Sequence, residues 1–461
     1  MRQNKAVKFL SFATLLTFAV SGAAFADEAQ LMSMVRSMQE EMKEMRGTIS
    51  VQNEEIRSLQ SQRGSAEMPS SSGAPAASGL NQNDFNTALE KSLGKDYKWL
   101  KDLKFKGDYR LRYEAFNLNA AGNNDDRNRF RMRLRFGFEK KLSDEWKLGF
   151  RLATVDAAGS ERTSTNASFD NAFLYKSIEL DRAYATYTPL WGEQYGLEVT
   201  AGKFENPFEK GSSKIVWDGD VTPEGAYERA SLGLVSTETF DITLPVTLGQ
   251  FIVQEGNGPE GADAELFAVQ GGLATSLRDI SEKPIETNHL ISYYHWDDYT
   301  SNTNFVAASG NPLNNATQLA AEEFRVFEVY NDVSFQVFGL PQSKIFVDWL
   351  INTQNRARTK LRGEDEDIAF AFGAKVGKIN KKGDIEAGYE YRHIEANSVP
   401  GLFNDSDFGT SSGTNKRGHV ISAGYGLTNF LQLNATAFFI DNLLGTDTEI
   451  DRYQLDLVYK F

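Results

Sequence analysis

From residue 103 onward, apolar and polar side chains alternate one by one. In Arg129-Phe130-Arg131-Met132-Arg133-Leu134-Arg135-Phe136-Gly137-Phe138 every even position is apolar and four odd ones are arginine. Tyr109, Leu111 and Tyr113 alternate in the same way with Asp108, Arg110 and Arg112. Trp146, Leu148, Phe150 and Leu152 alternate with Lys147, Gly149 and Arg151. A period of two sends successive side chains to opposite faces of a strand, so each segment reads as a strand with one apolar face. A soluble sandwich also alternates, but here the pattern recurs to the last residue: Tyr453, Leu455, Leu457, Tyr459 and Phe461 alternate with Arg452, Gln454, Asp456 and Lys460. Aromatics gather near strand ends, where the belts of a membrane barrel lie.

The connections fit a barrel. Short turns are predicted at Lys141–Glu145, Leu190–Gln194, Asn380–Gly383 and Thr428–Asn429. Longer polar loops are predicted at Asn117–Asp126, Asp156–Lys176, Phe204–Thr222, His295–Ala320, Glu395–Thr414 and Asp441–Thr448. One short rim and one long rim are what a periplasmic and an extracellular side require. The pattern predicts an all-β, transmembrane antiparallel β-barrel of about 16 strands over residues 101–461. A barrel of that width keeps an aqueous lumen.

Ahead of the barrel the period changes. Leu31, Val35, Met38, Met42, Met45, Ile49, Ile56 and Leu59 follow a heptad spacing that only Gln52 interrupts. This predicts a periplasmic coiled coil over residues 27–63. A lone amphipathic helix lying on its own barrel is the alternative, but the narrow seam favours association. Residues 64–82 are rich in Ser, Ala, Gly and Pro and predict a flexible linker, and residues 83–100 a short helix. Residues 1–26 read as a cleavable secretory leader: Arg2, Lys5 and Lys8 precede an apolar run that ends at Ala24-Phe25-Ala26.

Composition narrows the class further. After the leader no stretch approaches the ~18 apolar residues of a spanning helix, yet the chain carries 32 Phe, 17 Tyr and 38 Gly. That combination favours many short strands. It has no cysteine, so disulfides and thiolate sites are excluded. The formal charge of −14 becomes −17 once Arg2, Lys5 and Lys8 are removed, a poor match for nucleic acid.

Several segments form recognisable motifs: Gly107-Asp108-Tyr109-Arg110-Leu111-Arg112-Tyr113, Asp126-Arg127-Asn128-Arg129, Leu148-Gly149-Phe150-Arg151-Leu152-Ala153-Thr154 and Leu180-Asp181-Arg182-Ala183-Tyr184. Ala201-Gly202-Lys203-Phe204-Glu205-Asn206-Pro207-Phe208 and Val216-Trp217-Asp218-Gly219-Asp220 belong with them. Together these segments resemble a family of bacterial outer-membrane porins, most strongly over residues 105–231 and diffusely beyond. The resemblance implies an outer-membrane barrel, often preceded by a coiled coil, assembled as a homotrimer. It implies no particular solute. More distantly the chain is similar to phosphate-selective porins, whose arginine-lined pores carry anions.

The candidate chemistry is a pore lining. By the alternation, Arg110, Arg112, Arg129, Arg131, Arg133, Arg135 and Arg151 share the face that avoids lipid, because a cation at the lipid midplane costs about 2–4 kcal/mol. They form either a basic ladder that attracts anions or a brace paired with Asp108, Glu114, Glu139, Asp181 and loop carboxylates. In trimeric porins the loop after the fifth strand folds inward to narrow the pore. Here that loop, Phe204–Thr222, carries Glu205, Glu209, Asp218 and Asp220 against Lys210 and Lys214, which would set a field across the constriction. Tyr459 and Phe461 resemble the terminal signal read by the barrel-assembly machinery. The expected partners are membrane lipid and lipopolysaccharide, a homotrimer, that machinery and small hydrophilic solutes.

Other signals carry less. The scattered His289, His295, His393 and His419 lack a third ligand for a metal, and no metal or cofactor is expected. The run Glu364-Asp365-Glu366-Asp367 reads as a solvated loop before a cation site. No phosphate loop, serine elbow or zinc-protease motif is present. The reading is therefore an outer-membrane porin for passive diffusion of small hydrophilic solutes or ions. The alternatives are a barrel sheath that houses a partner such as a multihaem cytochrome and, less favoured, a barrel enzyme, for which no histidine dyad is evident.

Overall fold

The computed structural model describes residues 103–461 apart from 121–122, 157–161, 257–262, 280–282, 301–310, 312, 316–317, 320–322, 337–340, 355–363, 411–412 and 446. The expected leader, coiled coil, linker and short helix lie outside the described residues.

The sixteen long strands are β1 (Leu103–Ala120), β2 (Asn123–Lys141), β3 (Trp146–Val155), β4 (Ser177–Tyr187), β5 (Glu198–Lys203), β6 (Glu224–Ser236), β7 (Phe240–Gln254) and β8 (Ala264–Leu277). They continue as β9 (Ile285–Asp297), β10 (Phe324–Phe335), β11 (Ser343–Asn352), β12 (Ile368–Gly377), β13 (Ile385–Ile394), β14 (Lys416–Gly426), β15 (Leu431–Asn442) and β16 (Thr448–Lys460). Each strand pairs antiparallel with the next, and β16 returns to β1 with Tyr109 opposite Tyr459, so the sheet closes. Closure leaves no open edge, which a sheet needs where no water can satisfy its backbone groups. Sixteen strands and antiparallel closure are what the alternation predicted.

The faces follow the sequence parity. Phe130, Leu134 and Phe136 on β2 are exposed on the outside, whereas Arg131 and Arg133 between them are buried within. Near one rim the exterior carries Phe105 stacked on Phe136, Trp146 beside Tyr187, and Tyr109 beside Tyr459. Two details depart from a regular ladder. The expected loop at Asn117–Asp126 is mostly strand: β1 runs to Ala120 and β2 starts at Asn123, because their polar residues continue the pairing above the apolar belt. At Arg151/Leu152 the register of β3 on β4 slips, so Asp181 is the extra residue of a bulge. A bulge re-aims side chains, and here Asp181 pairs with Arg151.

One glycine pair stands where the chain leaves the wall between β5 and β6. Gly202 and Gly225 face each other at the ends of β5 and β6 with φ of 121° and 143°. A Cβ on Gly202 would lie 2.3 Å from the Ala183 carbonyl, and one on Gly225 2.2 Å from that of Gln250. Only glycine adopts this backbone readily. Just beyond this pair the chain leaves the wall for residues 204–223.

Candidate functional site

The arginines sit on adjoining strands in register. Asp108, Arg110, Arg112 and Glu114 of β1 face Arg135, Arg133, Arg131 and Arg129 of β2. On the other side Arg112 faces Asp456, and Phe116 faces Arg452 of β16. Like charges directly opposite would repel, so the geometry needs carboxylates between them. Asp108 accepts from Arg133 at 2.6 and 2.9 Å and from Arg135 at 2.6 Å. Asp456 takes both Nε and Nη2 of Arg112, at 2.7 and 2.8 Å, and lies 3.8 Å from Arg110. Glu114, wholly buried, accepts two bonds from Arg129 at 3.1 Å and pairs with Arg452 at 2.5 Å. Arg131 reaches Asp156 at 3.3 Å, and Arg110 donates to Asn166 at 2.5 Å.

Counting Arg452 with Arg110, Arg112, Arg129, Arg131, Arg133 and Arg135, seven guanidinium groups meet six carboxylates: Asp108, Glu114, Asp156, Asp220, Asp407 and Asp456. The wall is dense in charge but close to neutral. Arg151 stands apart on β3 with Asp181.

The segment after β5 lies within the barrel. Phe204, Phe208, Ile215 and Trp217 are at most 2% exposed. Trp217 packs on Tyr294 and Trp296 of β9 at 5.6 and 5.7 Å, and Phe208 meets Tyr294 edge-on. Ser212 donates to Glu328 of β10, and the Ser213 amide to Asp348 of β11. Each large apolar group removed from water adds about 1.5–3 kcal/mol, which holds the segment against the inner face. Beside it a cavity of about 480 Å³ is lined by Asp181, Lys203, Trp217, Asp220 and Phe251 among others.

The four acidic residues of this loop separate. Asp220 reaches the ladder, pairing with Arg135 at 3.1 Å and accepting from Thr165. Burial opposes its ionisation, but Arg133, Arg135 and Arg110 outweigh it and hold the carboxyl down to about 2. Asp218 turns to another loop: Ser406 donates to it through its amide at 2.8 Å. Burial, then the Asp405 and Asp220 carboxylates, push Asp218 up. Glu205 bonds Arg182 of β4 at 2.8 Å. Glu209 opens a single 3₁₀ turn, Glu209–Gly211, and burial with neighbouring Glu205 pushes its carboxyl up.

The loop between β13 and β14 was expected to be an outer polar loop, yet residues 396–408 are largely buried. Phe403 stacks on Trp296 at 5.0 Å, and the Phe403 carbonyl accepts from the Asp218 amide at 2.8 Å. Four apolar residues in this stretch, Val399, Leu402, Phe403 and Phe408, were the signal, since a solvated loop has no use for them. Its base is tied down too: Asn397 is bonded to the backbone of Asp365 and Glu366, so part of that acidic run serves as a backbone anchor. Asp456 and Arg452 were also missed, although counting parity back from Phe461 puts both on the inner face. The terminal residue exchanges backbone bonds with Gly107 at 2.9 and 3.2 Å, and its ring covers Gly107 so closely that a Cβ there would lie 2.6 Å away. Among the described residues no group of His, Asp and Glu is arranged to hold a metal ion.

Residues 119–326 and 316–461 match the profile of the family described as putative porin. Solved structures similar to the chain include Pseudomonas putida OprB at high pH, 13% identical with a TM-score of 0.49 over 82% of this chain and 97% of that one. The outer membrane channel DcaP of Acinetobacter baumannii is 13% identical with a TM-score of 0.42, covering 78% and 97%. Salmonella typhi OmpF, solved with daunomycin, is 9% identical with a TM-score of 0.41, covering 78% and 97%. No curated protein matches the sequence. With a closed sixteen-stranded barrel and a family match that runs from residue 119 to the C-terminus, the chain belongs to the putative porin family.

Proposed function

We propose that this protein is a water-filled outer-membrane channel through which small hydrophilic solutes or ions diffuse passively, with the loop Phe204–Thr222 as its constriction. The family and the closed barrel support an outer-membrane channel. The observation that carries the finer reading is the departure of the chain beyond the Gly202/Gly225 pair into the barrel, where Ser212 and Ser213 bond to Glu328 and Asp348 on β10 and β11. The balanced ladder of β1, β2 and β16 braces this wall and gives it a transverse field with little net charge. A sheath for a folded partner would need that interior space, which the inward loop takes up. Purified protein in liposomes should admit neutral sugars with a sharp dependence on size in a swelling assay. Equal swelling for small and large sugars would contradict a constriction. No swelling with any sugar would contradict an open passage for neutral solutes.

The N-terminal coiled coil, a homotrimer and recognition by the barrel-assembly machinery complete the proposal. The seat of Phe461 over Gly107 supports a role in closing β1 on β16. Phe461→Ser should leave little protein in the outer membrane and most of it degraded or aggregated in the periplasm. Fractionation with immunoblotting would show this, and normal outer-membrane levels would contradict it.

A further inference from the structure

Three consecutive residues, Asp405, Ser406 and Asp407, each join a different pair of elements. Asp405 pairs with Arg392 of β13 at 2.5 Å, and its amide donates to the Lys214 carbonyl of the inward loop at 3.2 Å. Ser406 donates through its amide to Asp218, and its Oγ lies 2.7 Å from the carbonyl of Thr163. Asp407 accepts from Arg112 of β1 at 3.0 Å and from Arg452 of β16 at 2.5 Å. Arg452 then points its Nη1 at the carbonyls of Ser406, Asp407 and Gly409, at 3.1, 3.0 and 3.0 Å, while its ring-facing side covers Phe116 at 4.8 Å. The tripeptide therefore links two separate parts of the wall to both neighbouring loops.

We infer that residues 395–410 form a strap that sets the width of the aperture together with Phe204–Thr222, anchored to the wall where Asp407 meets Arg112 and Arg452. The inward loop is fixed on one side by Glu328 and Asp348 of β10 and β11. Elsewhere Glu205 bonds Arg182, Asp220 bonds Arg135 and Thr165, and the stretch Lys214–Asp218 is held by the strap through the Lys214 carbonyl, Trp217 and Asp218. A loop that loses one set of its anchors samples a wider range of positions, because ordering it depends on contacts that offset its conformational entropy. The carboxylates of the strap are already ion-paired, so it acts on the size of the passage and scarcely on the sign of the ions that cross. This rests on the reading that Phe204–Thr222 narrows a conducting barrel.

Ser406→Ala and Asp407→Asn test it in planar bilayers, since each removes strap contacts while Arg112 keeps Asp456 and Arg452 keeps Glu114. Both variants should retain the heat-modifiable mobility of folded wild type. Their single-channel conductance should at least double, the sugar cut-off in swelling should move to larger sugars, and the reversal potential of Ser406→Ala, which changes no charge, should stay near the wild-type value. Asp407→Glu should return conductance toward wild type. Should Asp407→Asn fail to fold, Ser406→Ala and a variant lacking residues 401–410 carry the comparison. If wild type conducts and the folded variants conduct equally, the strap is overturned while the channel stands. If wild type passes no current, the underlying reading falls with it.

Discussion

Replacing Glu114 with Gln lowers the stability of the folded barrel by about 3–5 kcal/mol, the range for removing one partner from a buried charge cluster. Glu114 is fully buried and takes bonds or ion pairs from Arg129, Arg131 and Arg452. Gln preserves the length but turns an amide toward one or more guanidinium groups and leaves an excess of buried cations. The urea midpoint of the heat-modifiable form in lipid vesicles should drop clearly below wild type. Glu139→Gln is the control, because its partner Lys106 is exposed and such surface pairs contribute at most about 1 kcal/mol. Equal midpoints for the two variants would mean that the ladder does not brace the wall.

The second large effect concerns ions. Changing Arg131, Arg133 and Arg135 together to Gln removes three positive charges from a wall where cations and carboxylates nearly balance. Asp108 then loses both of its arginines and Asp220 loses its ion pair with Arg135. The lining becomes net negative, so the permeability ratio should swing severalfold toward cations. The shift should be greatest in dilute salt, where the screening length approaches about 30 Å at 0.01 M. Glu205→Gln should move the ratio the other way, and it leaves the Asp218–Ser406 contact untouched. Reversal potentials in a salt gradient would report both, and unchanged values in the triple variant would mean these groups lie away from the ion path.

Much of the barrel was legible because a strand between lipid and water has to alternate. Phe130 to Phe138 fixed the faces of β2 before any pairing was known, and the same parity carried through to Phe461. The count of sixteen followed from turns such as Thr428–Asn429. The polar ends of β1 and β2 were harder to read, because Asn117, Asn119 and Asn128 lie above the apolar belt, where alternation carries no hydrophobic signal. Site chemistry was legible only in part. Parity placed the arginines inside, but which carboxylate meets which arginine depends on the register of β16 against β1, a contact between the two ends of the barrel sequence. Asp407 was out of reach in the same way: a loop residue shows no parity, and its pairing with Arg112 joins positions far apart in the chain. The bulge that turns Asp181 toward Arg151 left no mark on composition at all.

The closed barrel should conduct. Purified, folded protein added to a planar lipid bilayer should produce discrete, uniform current steps, linear in voltage and rising with salt concentration. Heat-modifiable protein that inserts into the bilayer without any current step would contradict it.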